Sequence, residues 1–245
     1  MPDEADSTRP QTEPPEPPEA APKNNYPIVG IGASAGGIDA PKRMFPNIKP
    51  GSGMAFVVVQ HLDPDHSSVL AEVLARSTSL PVAQIEDDTK VEPDHVYVIP
   101  PNAALTIREG RLLLARPVQA RGQRNAIDEF FTSLAHDQAE NAACVILSGI
   151  GSDGTLGLRA IKENAGLTLA QAEAEYDGMM RSAVATGLVD YVLRAEEIPA
   201  KIVEYFGHVT RVVNRKTREG VHSDVADHLG QITALLRKQT GHDFS

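Results

Sequence analysis

Three short stretches place side chains able to do chemistry beside glycines. The first is Gly30-Ile31-Gly32-Ala33-Ser34-Ala35-Gly36-Gly37. Read as G-x-S-x-G over residues 32–36, it is a nucleophile elbow: small neighbours permit a tight strand-to-helix turn that exposes the Ser34 hydroxyl and leaves backbone N–H groups free for an oxyanion. Read as Gly30-x-Gly32-x-x-Ala35, it is a dinucleotide fingerprint, with a pyrophosphate resting on a helix N-terminus. That second reading needs an acidic residue at the end of the next strand, where the chain has Gln60-His61, so nucleotide binding weakens. A third reading gives Ser34 only the work of capping a helix.

The second stretch is His61-Leu62-Asp63-Pro64-Asp65-His66, in which His61, Asp63, Asp65 and His66 are potential metal ligands. Pro64 forces an extended or turn geometry and no matching cluster lies elsewhere, which favours Asp65 as the cap of the helix that His66 enters. The third stretch is Leu147-Ser148-Gly149-Ile150-Gly151-Ser152-Asp153-Gly154-Thr155. A carboxylate there is either a helix cap or the third member of a catalytic triad. A nucleophile, an imidazole and a carboxylate each following a strand in a turn favour the triad over three separate caps.

The elements that must carry these residues alternate. Apolar, β-rich runs at residues 28–31, 55–60, 82–85, 96–99, 144–147, 167–170 and 191–193 read as strands. Helical periods fall at 37–45, 67–76, 127–137, 156–164, 181–186 and 197–206. That order predicts an α/β fold, doubly wound in three layers around a mainly parallel seven-stranded sheet. An antiparallel hairpin is added over 104–108 and 111–115, with Glu109-Gly110 as its turn. In such a sheet ligands bind at the carboxyl edge, where Ser34, His61 and Asp153 all fall. Chain order discriminates among triad scaffolds. An α/β-hydrolase runs Ser, Asp, His and would need His208 or His222 as base, both beyond the last strand. The order Ser34, His61, Asp153 fits better.

Composition excludes several classes. Twenty-three Lys and Arg against 33 Asp and Glu give a net charge of −10, and aromatic residues make up only 4% with no Trp. The chain therefore lacks the cationic surface and stacking platforms of a nucleic-acid binder. Cys144 is the single cysteine, set in an apolar run as a small buried hydrophobe, which suits a reducing compartment. No stretch approaches a membrane span, and the first residues carry acid and proline where a secretory signal has a basic region and an apolar core. We expect a soluble, cytoplasmic protein with no direct membrane insertion. Residues 1–25, with prolines at 2, 10, 14, 15, 17, 18 and 22 among acidic residues, read as a disordered tail or linker. Residues 207–245 turn polar and basic, then offer Val221, Val225, Leu229, Ile232 and Leu236 at helical spacing.

Together, Ile31-Gly32-Ala33-Ser34-Ala35-Gly36-Gly37, Gln60-His61, Leu147-Ser148-Gly149-Ile150-Gly151-Ser152-Asp153-Gly154 and Leu169-Ala170-Gln171 resemble the catalytic domain of the chemotaxis protein-glutamate methylesterases, the CheB family. The resemblance spans about residues 26–206 and implies a seven-stranded parallel sheet with an added hairpin and a triad of Ser34, His61 and Asp153. It also implies oxyanion donors at the amides of Ala35 and Ile150, with no metal or organic cofactor. The implied substrates are glutamate methyl esters on chemoreceptor signalling helices, with glutamine deamidation as a second activity. Ala35 stands where the family has a hydroxyl residue, Ile150 where it has methionine, and Gly178-Met179-Met180-Arg181 where it has Gly-Met-Pro-Arg. By that resemblance we expect the proline-rich stretch to stand where typical members carry a receiver domain. Residues 236–245 resemble the opening of a CheR-type methyltransferase domain, as in proteins that fuse the two enzymes. A catalytically silent receptor-docking or regulatory domain, and a nucleotide-binding module, remain the alternatives.

Overall fold

The computed structural model describes residues 26–34, 38–60, 70–117 and 125–207. The expected Pro-rich tail and the segment beyond residue 207 lie outside them. Ten strands run in chain order: β1 (Ile28–Ala33), β2 (Ala55–Gln60), β3 (Val82–Gln84), β4 (Thr89–Lys90), β5 (Val96–Val98), β6 (Ala104–Arg108), β7 (Arg111–Ala115), β8 (Ala142–Ile146), β9 (Leu167–Gln171) and β10 (Tyr191–Leu193). The helices are α1 (Asp39–Met44), α2 (Leu70–Ala75), α3 (Ala126–Gln138), α4 (Thr155–Glu163), α5 (Gly178–Ala185) and α6 (198–207).

Seven strands form one sheet in the order β10-β9-β8-β1-β2-β5-β3, with every pair parallel. This is the expected doubly wound α/β fold. The hairpin is also where it was expected, its turn using Glu109 at φ 51° and Gly110 at φ 70°, the left-handed pair that a two-residue hairpin needs. It does not join the large sheet. It forms a separate antiparallel sheet of order β4-β7-β6, and the two-residue β4 was too short to leave a periodic signal. Asp137, in the last turn of α3, accepts the amides of Glu109 and Gly110 and ties this small sheet to the body.

β1 lies at the centre and is buried along its whole length. Because strand side chains alternate, residues 28, 30 and 32 face α3, while Val29, Ile31 and Ala33 face the layer of α1, α2 and α6. On α3, Ile127, Phe130, Phe131, Leu134 and Ala135 recur at helical spacing and are fully buried. Each large one contributes about 1.5–3 kcal/mol by leaving water. Gly30 and Gly32 let that stripe lie directly on the strand. A Cβ at Gly30 would stand 2.8 Å from Phe131 Cε1, and one at Gly32 only 2.5 Å from Ile127 Cγ2. The glycines that suggested a phosphate cradle are thus accounted for by helix packing.

The helix boundaries shift by one to three residues from expectation, and two of the shifts have a local cause. α1 spans Asp39–Met44 and hands over to a 3-10 turn at Phe45–Asn47, because Pro46 has no N–H to continue the helix. α5 begins at Gly178 rather than Arg181. Gly178 reads as a loop residue in sequence, yet it opens the helix so that the chain can pass close to Gly151, whose amide nitrogen would be 3.0 Å from a Cβ there. Met180, where the family has proline, is the third residue of α5. Its amide needs no intrahelical acceptor, so either residue suits the backbone.

Candidate active site

The sheet order reverses at β1: the chain proceeds from β1 to β2 on one side and later returns to place β8 on the other. A crevice opens at the carboxyl ends of strands at such a switch point. Ser34 follows β1 there, and the turn containing Ser148 to Gly154 follows β8. The structure brings these two together. Ser34 N–H donates to Ser148 O at 3.0 Å, Gln60 Nε2 donates to Ser34 O at 3.4 Å, and a Cβ on Gly149 would lie 2.8 Å from Ser34 Cβ. The half-buried Ser34 is therefore held by its backbone from both neighbouring strands. The N-cap position of α1 is Ile38, so Ser34 does not serve as that helix's N-cap residue.

Three groups that the sequence did not mark as functional hold the β8 turn. Gln171, at the end of β9 and almost fully buried, accepts the Ser148 amide on Oε1 at 3.1 Å and donates Nε2 to Glu173 O. Tyr176 O accepts both Ser148 Oγ at 3.2 Å and the Gly149 amide at 2.9 Å. The Met179 amide donates to Gly149 O at 3.0 Å, and its Sδ would be 2.1 Å from a Cβ on Gly149. Leu169-Ala170-Gln171 was visible as a motif, but the reach of Gln171 into the next strand's turn has no signature in spacing. Past Gly149 the turn opens to solvent: Ile150 is 62% exposed, and Gly151 adopts φ +87°.

Asp153 is buried at the far end of this turn. It precedes α4, yet its carboxylate takes the amides of another helix, accepting Ile127 N–H on Oδ2 at 3.0 Å and Asp128 N–H on Oδ1 at 2.9 Å, with its own neighbour Gly154 N–H at 2.8 Å. Three amides fix where this carboxylate sits. It is thus a cap, though of α3, and a triad role would be added to that one. His61 and Ala35, and with them the cluster of Asp63, Asp65 and His66, lie outside the described residues. Among those described, no group of three or more His, Cys, Asp or Glu is gathered to hold a metal, and no helix is long and apolar enough to cross a membrane. Cys144 is fully buried, and burial pushes its thiol well above the ordinary range.

Sheet order, the switch point at β1 and two facing turns define a doubly wound α/β protein with a candidate site between β1 and β8. The CheB methylesterase family model matches residues 29–202, and the chain belongs to that family. The protein-glutamate methylesterase/protein-glutamine glutaminase 2 of Pseudomonas aeruginosa is 36% identical over 198 residues, covering 78% of this chain and 56% of that protein. Protein-glutamate methylesterase FrzG of Myxococcus xanthus is 36% identical over 190 residues, covering 76% of this chain and 57% of that one. The chain thus spans little more than half the length of these two relatives. A solved structure, the Thermotoga maritima CheB methylesterase catalytic domain, superposes with a TM-score of 0.69 at 32% identity. It covers 74% of this chain and 99% of that one.

Proposed function

We propose that the chain is a protein-glutamate methylesterase in which Ser34 is the nucleophile, His61 the general base and Asp153 the carboxylate that orients the imidazole. The observation that carries this reading is the junction of the two turns, Ser34 N–H on Ser148 O, which sets the serine against the loop bearing Gly149 and Ile150. His61 takes the Ser34 proton as the hydroxyl oxygen attacks the ester carbonyl, and Asp153 stabilises the imidazolium. The amides of Ala35 and Ile150 stabilise the tetrahedral oxyanion, each by about 3 kcal/mol. His61 then protonates the leaving methoxide, methanol departs, and water activated by His61 hydrolyses the acyl-enzyme.

The proposed substrates are protein glutamate methyl esters, with glutamine deamidation as a second activity, both supported by the names of the relatives; the family resemblance suggests that these esters lie on chemoreceptor signalling helices in the cytoplasm. We take residues 26–206 as the catalytic domain and 207–245 as a linker and helix leading to a CheR-type methyltransferase domain. An uncharacterised 104.1 kDa protein of Rhodobacter capsulatus supports only the narrower point that a catalytic domain of this kind can lie inside a longer chain. It is 43% identical over 138 residues, which are 56% of this chain and 14% of that one. The test is methanol release from methylated receptor membranes, with ammonia release from receptor glutamines in parallel. Methanol release dependent on this chain is expected; none at enzyme concentrations that saturate receptor binding would leave a docking or regulatory domain as the better account.

A further inference from the structure

The N-termini of α3 and α4 meet at the end of the turn that follows β8. Each carries the positive pole of its helix and amides without intrahelical acceptors, so bringing two such ends together is unfavourable unless negative charge lies between them. Neither N-cap residue supplies a side-chain cap, and at α4 the local segment serves only the first two amides, Gly154 N–H on Asp153 Oδ1 and Thr155 N–H on Ser152 O. Asn125, the N-cap of α3, makes no side-chain cap bond, and the N-cap of α4 is Gly154, at φ +90°. The amides further into each first turn are capped from across the gap. Asp153, just ahead of α4, accepts the amides of the second and third residues of α3. Asp128, in the first turn of α3, accepts the Gly157 amide of α4 on Oδ1 at 2.8 Å. An acidic residue at the third helical position ordinarily folds back to its own N-cap amide. Here it reaches the neighbouring helix, and Gly157 permits the approach: a Cβ there would stand 2.4 Å from Phe131 Cβ and 3.0 Å from Asp128 O.

We propose that Asp128 is a positioning residue for the triad: the two buried carboxylates cap each other's helices, so Asp153 keeps its place only while Asp128 holds the first turn of α4. The inference rests on the reading of Asp153 as the triad carboxylate. Asp153 lies two residues before α4, and any shift of that first turn carries it along. A displacement of a fraction of an ångström in a group that must meet an imidazole costs rate rather than binding. The electrostatics agree with two carboxylates sharing one site. Burial pushes the Asp128 carboxyl up from its ordinary value, the Gly157 amide pulls against this, and the Asp153 charge adds to it. On its other side Asp128 lines a groove of about 640 Å³ with Arg116, Glu129 and His136.

The experiment measures kcat and KM for methanol release by the full chain carrying Asp128→Ala or Asp128→Asn, with folding checked by circular dichroism. Asp128→Ala is expected to lose tenfold or more in kcat with KM within twofold of wild type. Asp128→Asn, which keeps an acceptor for Gly157, should stay within threefold in kcat. A folded Asp128→Ala protein with more than a third of wild-type kcat overturns the proposal, as does an equal loss in both variants. Should Asp128→Ala not fold, Asp128→Ser, whose hydroxyl is too short to reach Gly157, is held to the same criteria. Amide hydrogen exchange separates this proposal from the esterase reading. Loss of the carboxylate is expected to deprotect Ile127 and Gly157 together, and deprotection of Gly157 alone overturns mutual capping. Joint deprotection in a protein that releases no methanol supports the clamp and counts against the esterase.

Discussion

The glycine-rich stretches ending β1 and following β8 look alike in sequence but are glycine-rich for different physical reasons. Before Ser34, Gly30 and Gly32 are strand residues with ordinary backbone, and they are small because Phe131 and Ile127 of α3 occupy the space where their side chains would go. After β8, Gly149 is small because Ser34 and Met179 press on it, while Gly151 and Gly154 hold left-handed backbone at φ +87° and +90°. The first stretch is glycine-rich for the core behind it, while the second combines left-handed backbone with the approach of Ser34 and Met179 to Gly149 and of Ile146 and Ile127 to Gly154. A glycine pattern by itself therefore says little about phosphate binding; what fills the missing Cβ space decides.

Substitutions should separate the two turns. The largest effect is expected from Gly149→Ala, whose Cβ would stand 2.1 Å from Met179 Sδ and 2.8 Å from Ser34 Cβ. It should lower kcat/KM about a hundredfold in methanol release, since the nucleophile itself is displaced. Gly30→Ala should act on stability instead. Its Cβ meets Phe131 Cε1 at 2.8 Å and Leu134 Cδ2 at 3.1 Å, a core overpacking worth about 1–3 kcal/mol, while kcat per folded molecule stays within threefold. Equal catalytic loss in both variants would erase the distinction between the turns. Gly151→Ala meets no neighbouring atom, so only the left-handed backbone resists it, at about 1–2 kcal/mol. A thermal melt should show a fall of about 2–4 °C per kcal/mol for a domain of this size.

The smallest effects are electrostatic and have a sign. The folded state raises the Asp128 pKa from its ordinary value of 3.8, mainly through burial, so the native protein binds that proton more tightly than the unfolded chain. This contribution to stability is full below pH 3.8 and is lost as pH rises through the folded value. Asp128→Asn has no such proton to lose. Its melting temperature relative to wild type should rise between acid and neutral pH, and a relative fall would contradict the assignment. Asp190 provides the opposite case. Burial pushes it up, but Lys162 and the Thr168 amide and hydroxyl outweigh that and hold it below 3.8. Its contribution is present above the ordinary value and lost as pH falls through the folded one, so Asp190→Asn should narrow its deficit on acidification.

These contrasts mark how much the sequence disclosed. The strands were legible because buried parallel strands are short apolar runs, and residues 55–60 and 191–193 were delimited to the residue. The hairpin was equally clear, since alternation on both sides of Glu109-Gly110 leaves one register. Elements that depend on tertiary contact were not legible. β4 has two residues, and α5 starts at a glycine selected by the approach of Gly151. In the candidate site, Ser34 and Asp153 could be named because a nucleophile and a carboxylate in turns after strands are uncommon together. Gln171 and Asp128 could not, because a glutamine at a strand end and an aspartate in a helix's first turn are ordinary until their partners across the fold are seen. The capping reading of Asp153 proved correct in kind, but on α3, which no local pattern could specify.

The central claim is that Ser34, rather than another hydroxyl of the two facing turns, attacks the ester. The most direct measurement compares methanol release by Ser34→Ala and by Ser152→Ala, an exposed serine of the β8 turn, with both variants matched to wild type in melting temperature. Alanine suits the small-residue turn at position 34, so the fold should survive with a change of about 1 kcal/mol or less. The account predicts that Ser34→Ala falls below about one thousandth of wild-type kcat/KM, while Ser152→Ala stays within threefold. A folded Ser34→Ala protein within tenfold of wild type would contradict it.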